Sequence, residues 1–75
     1  MNEPRRKRIR EAVSYLEKAR DMIDNVRDDE LDAMDNMPEN LQYSDRYSEM
    51  EDKVYSLGDA MERIDDAMTC LDATL

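Results

Sequence analysis

The run Asn36-Met37-Pro38-Glu39-Asn40-Leu41-Gln42-Tyr43-Ser44-Asp45-Arg46 decides how this chain folds, because an apolar repeat enters it on one side and leaves it on the other. Pro38 has no backbone N–H and turns Met37 away from the helical region, so a helix arriving from the N-terminal side is expected to stop near Asp35 to Met37. Asn36 with Glu39 three residues on fits a capping box over a short turn, Pro38 to Leu41. Ser44 or Asp45 offers a further N-cap from which a second helix can start. Leu41 and Tyr43 are the apolar residues of this connector and are expected to fold back over the end of a hairpin.

Upstream, apolar residues recur at alternating spacings of three and four: Ile9, Ala12, Leu16, Ala19, Ile23, Val26, then Glu30, Ala33 and Met37. Downstream the pattern resumes with Tyr47, Met50, Val54, Leu57, Met61, Ile64, Met68, Leu71 and Leu75. These are successive a and d positions of a heptad, and Glu30 alone breaks them. The expected fold is therefore all-α, a two-helix antiparallel coiled-coil hairpin forming one domain over residues 1–75. Its helices are expected over 5–35 and 45–74, with a turn over 36–44. Met1 to Pro4 reads as a short tail, with Pro4 acceptable at a first helical position.

Folding back about the Pro38 break sets Ile9 opposite Leu71, Ala12 opposite Met68, Leu16 opposite Ile64, Ala19 opposite Met61, Ile23 opposite Leu57, Val26 opposite Val54, Glu30 opposite Met50 and Ala33 opposite Tyr47. Small residues meet large ones in this register, although a shift of one heptad preserves the pattern too. The flanks then differ. One edge carries Val13, Arg20, Arg27 and Met34 against Glu51, Gly58, Asp65 and Asp72, which allows pairs such as Arg20 with Asp65 and Arg27 with Glu51. The other carries Tyr15, Met22 and Asp29 against Lys53, Ala60, Ala67 and Thr74. This second edge is mostly small or apolar, and a four-helix bundle made from two hairpins would bury it. Tyr15, Met22, Ala60 and Ala67 are accordingly the candidate protein interface, with a homodimer or a partner protein as occupant.

Composition narrows the classes. A chain of 75 residues buries only about 60–65% of the surface its unfolded form exposes, so help from a partner is expected. One Cys excludes an internal disulfide, and the lack of His removes the usual zinc sets. Cys70 falls at an outward position with no activating neighbour and reads as a spectator thiol. No run is apolar enough to span a membrane and no apolar stretch follows the basic cluster as in a signal peptide, so a cytoplasmic protein is expected. Met37, Met50, Met61 and Met68 lie on the core stripe, leaving Met22 and Met34 as the exposed methionines.

Charge is divided along the chain. Residues 1–27 hold eight Lys/Arg against five Asp/Glu, and residues 28–75 hold three against fifteen. Arg5, Arg6, Lys7, Arg8 and Arg10 crowd the first turns, where they oppose the helix dipole and call for anions nearby; carboxylates near the end of the second helix are the expected source, with a phosphate backbone as the other. The carboxylates Asp28, Asp29, Asp32, Asp35, Asp59, Glu62 and Asp66 form a candidate acidic face. A helix cannot wrap the Asp28–Asp35 group around one cation, so a solvated face outweighs a metal site. Glu30 reads either as a register-fixing polar residue or as the hydrated end of the core, within reach of Arg27 or Lys53.

The run Asp35 to Gln42, with Ser44, Arg46 and Met50, resembles a pattern found in short acidic helical proteins carried by phages and mobile elements of Firmicutes, which generally have no assigned function. The resemblance covers most of the chain but is anchored in this segment. It implies a genomic setting and transfers no functional residues. Without His, a Gly-rich phosphate loop or a paired acid and base, neither an enzyme nor a cofactor is expected. The leading reading is an acidic protein-binding module, with inhibition of a host nucleic-acid-binding or defence protein as one form of it. Fifteen carboxylates over two helices reach roughly half the charge density of duplex DNA, one charge per ~1.7 Å. The alternatives are a structural protein acting by self-association and a nucleic-acid accessory protein using the basic N-terminus. Salt separates them, because charge-driven binding weakens steeply with ionic strength.

Overall fold

The computed structural model describes all 75 residues. Helix α1 spans Glu3–Asp35, a single 3-10 turn spans Glu39–Leu41, helix α2 spans Asp45–Asp72, and there are no strands. The two helices pack along each other as an antiparallel hairpin, a rod with extents of 59 × 15 × 11 Å.

α1 starts two residues before the sequence expectation. Asn2 is its N-cap: the side-chain oxygen accepts from the Arg5 N–H at 3.0 Å, and Pro4 sits in the first turn where a missing N–H costs nothing. The bend also differs in detail from the capping-box reading. Asn36 closes α1 instead of opening the next turn, its backbone N–H donating to Asp32 O, while Pro38 precedes the 3-10 turn without a side-chain cap. Met37 O is taken by the Gln42 amide at 3.3 Å. Ser44 then caps α2 as expected, accepting from the Tyr47 N–H at 3.2 Å and donating its hydroxyl to Leu41 O at 2.6 Å. The chain reverses with no positive-φ residue.

Tyr43 does not plug the end of the hairpin: it is 96% exposed, and Leu41 is 43% exposed. Met34 and Met50 occupy that place, and with Met61 they are the only residues below one-tenth exposure. Met34 is therefore core, contrary to its reading as an exposed methionine.

The α2 stripe is as read up to Leu71: Tyr47, Met50, Val54, Leu57, Met61, Ile64, Met68 and Leu71 are all buried or half-buried, whereas Leu75 lies past the end of the helix and is exposed. The α1 stripe is not. Its first half follows Ile9, Ala12, Leu16 and Ala19, but towards the bend the sheltered residues are Ile23, Arg27, Glu30, Met34 and Met37, while Val26 is 55% exposed and Ala33 is exposed. A straight helix returns to the same face after 18 residues, about five turns, so Arg27 lies on the face of Ile9 and the strict heptad drifts away by about 20° per repeat. The d positions near the bend have rotated out of the seam onto the apolar edge.

The register is settled by one edge. Arg20 Nε donates to Asp65 Oδ1 at 2.6 Å, and Arg27 Nη1 lies 3.7 Å from where a Cβ on Gly58 would stand. Both contacts keep the same offset between helices, one displaced by about five residues along α2 from the expected pairing of Leu16 with Ile64. The expected register would instead set Arg20 nearest Gly58 and Arg27 nearest Glu51.

Candidate functional site

The two long edges of the rod have different chemistry. On the first, Arg20 bridges to Asp65, and this hydrogen bond, followed by the Coulomb attraction of the same carboxylate, raises the guanidinium pKa above its ordinary value. Arg27 lays its guanidinium against Gly58 through Nη1 while Nη2 donates to Asp24 on its own helix at 2.8 Å, and it does not reach Glu51. A shallow groove lined by Leu31, Val54, Tyr55 and Met61 runs beneath these two arginines. Gly58 sits mid-helix with only that ordinary contact facing its missing Cβ. Gly58→Ala is therefore expected to raise stability by about 0.5–1 kcal/mol through the helix propensity gained. An unfolding midpoint in urea below that of the unmodified chain would show that the groove requires the space.

The second edge is the candidate interface. Tyr15 and Met22 are each 68% exposed, and Ala60 and Ala67 are half-buried beside them. Val26 and Ala33, rotated out of the seam, extend this strip towards the bend; the heptad assignment hid them by placing them in the core. Lys18 stands at its margin with Nζ 5.5 Å from the Tyr15 ring centroid, and Glu30 and Lys53 flank a depression beside Val26 and Leu57. Glu30 is half-buried but has no cation within 4.0 Å, Arg27 being held by Asp24.

The acidic residues do not converge. At 100° per residue Asp28, Asp32 and Asp35 share the outer side of α1, whereas Asp29 falls beside Met22 on the apolar edge. On α2, Asp59 and Glu62 lie beside the groove, and Asp66 is exposed. Asp59 accepts from Arg63 at 3.0 Å, and no group of three or more acidic or thiol side chains is placed to hold a metal ion. Cys70 is a free, exposed thiol.

The basic N-terminus is partly neutralised, but not by the end of α2. Arg6 and Arg10 both turn back to Glu3 on their own helix, and Arg5, Lys7 and Arg8 have no carboxylate within 4.0 Å. No helix is long and apolar enough to cross a membrane. Comparison with protein-family models, curated proteins and solved structures found no match. The surface itself must carry the functional argument.

Proposed function

We propose that this chain is a protein-interaction module whose binding element is the edge formed by Tyr15, Met22, Val26, Ala60 and Ala67. The observation that carries this reading is the exposure of three large apolar side chains in one strip, Tyr15 and Met22 at 68% and Val26 at 55%, on a chain that buries only three residues. Covering apolar surface releases about 25 cal/mol per Å², which a domain this small has few other ways to gain. The alanines let a partner helix approach closely. In the genomic setting implied by the sequence resemblance, the partner is a protein of the mobile element or of its host, and inhibition is the form the activity takes if that partner is disabled by being covered.

The test is the native size of the chain in extracts of cells that produce it. A species larger than the 8.9 kDa monomer is expected, and Met22→Glu with Ala60→Glu is expected to collapse it to monomer size. Tyr55→Glu, at a residue 79% exposed beside the groove, is expected to leave it intact. An unmodified chain running as a monomer would overturn the proposal.

A second reading rests on the ten carboxylates between Asp28 and Asp52, none of which is ion-paired within the chain. If these contact a basic surface in place of nucleic acid, the complex weakens steeply as salt is raised and survives the Met22→Glu with Ala60→Glu change.

A further inference from the structure

We infer that the occupant of the apolar edge is a second copy of this chain, docked with its ends reversed so that the bend of each hairpin lies over the open end of the other. The inference rests on the interaction reading above and adds to it the identity and orientation of the partner.

The rod is electrically polar. At the open end, residues 1–11 hold five Arg/Lys against two Asp/Glu, and Asp72 is the one carboxylate in the last seven residues; around the bend, residues 28–52 hold ten Asp/Glu against one Arg. Both groups are left unsatisfied within the chain: Arg5, Lys7 and Arg8 lack a carboxylate within 4.0 Å, and all ten acids at the bend lack a cation. Two hairpins meeting face to face can place their bends at the same end or at opposite ends, and either way neighbouring helices run antiparallel. Bends at the same end would set ten carboxylates against ten across helices 8–10 Å apart, about one Debye length at physiological salt. Bends at opposite ends set each acidic bend against free cations.

The exposed g column of α1 is self-complementary in the reversed arrangement. It reads Arg8, Tyr15, Met22, Asp29, all four exposed. Turned about a two-fold axis between Lys18 and Ala19, the column sets Arg8 on Asp29 of the second copy and Tyr15 on Met22, and repeats both pairs by symmetry. The Arg20–Asp65 register carries that axis onto α2 beside Ala67, so a small side chain lies where the second helices approach. A flat side of about 59 by 15 Å matches the roughly 800 Å² that each partner contributes to a standard interface.

The test combines sedimentation with charge reversal, helix content being followed by circular dichroism in every variant. The unmodified chain is expected to be a dimer at tens of micromolar. Arg8→Asp and Asp29→Arg are each expected to weaken the dimer severalfold, and the double variant to restore it. With Cys70→Ser as background, a short bis-maleimide is expected to join two copies through Lys18→Cys, next to the axis, and not through Asn40→Cys at the bend. A monomeric unmodified chain overturns the second copy as occupant and leaves a different protein in its place. A dimer that persists in Met22→Glu with Ala60→Glu overturns the edge itself. A dimer that is lost in that variant, but is joined through Asn40→Cys or is not restored by the double reversal, overturns the reversed orientation.

Discussion

Met34→Ala is expected to lower stability by about 2–4 kcal/mol, and Val26→Ala by well under 1 kcal/mol at concentrations where the chain does not associate. The heptad assigns the opposite order, since it puts Val26 in the core and Met34 on a flank. The structure leaves Met34 6% exposed and Val26 55% exposed. Truncating Met34 opens a cavity between the helices beside the bend, whereas truncating Val26 removes methyl groups already in water. Urea unfolding of the two variants checks this directly, and equal losses would mean that the α1 seam follows the heptad to its end.

The second large effect is expected at Met61, the least exposed side chain at 4%. Met61→Ala is expected to cost about 2–5 kcal/mol, the most of any single truncation. The offset set by Arg20 with Asp65 and Arg27 with Gly58 puts Ile23 and Asp24 level with Met61, so the truncation empties a layer already filled by a large residue from α1. Met61→Leu, which keeps most of the volume, is expected to cost under about 1.5 kcal/mol, because the same space stays filled. Urea unfolding in which Met61→Leu loses as much as Met61→Ala would mean that the volume at this position does not hold the helices together.

These two residues show how far the fold was legible. α2 could be read position by position, because every residue from Tyr47 to Leu71 on its stripe meets α1. In α1 the stripe is followed to Ile23 and again at Glu30 and Met37, but not at the d positions Val26 and Ala33. Spacing of three and four states that a stripe exists, but whether a helix supercoils to keep it facing its partner depends on the packing of both helices, and in α1 the period of a straight helix prevails. Arg27 conceals the change, since a charged residue at the seam looks like a flank; its guanidinium lies against Gly58, which has no side chain to oppose it, and bonds Asp24. The Asn2 cap had a sequence signal in Asn2-Glu3-Pro4, masked by the cations that follow. Tyr43 was misjudged for a steric reason: Met34 and Met50 already fill the narrow end of two helices, which leaves no space for an aromatic ring. The apolar edge was legible in Tyr15, Met22, Ala60 and Ala67, and its extension through Val26 was not, because it depends on the same drift.

The placement of Met34 and Met50 beside the bend bears on how quickly the hairpin forms. They are close in sequence as well as in space, so their contact closes a short loop, and each doubling of loop length adds about 0.6 kcal/mol to the entropic cost of closure. Pairing that starts there and advances towards Ile9 and Leu71 never has to close a long loop at once, which is the condition for rapid folding in helical chains. The starting point is also where ten carboxylates crowd around a single arginine. The first contacts therefore form against the strongest repulsion in the molecule, and added salt, by screening it, should accelerate folding more than it slows unfolding.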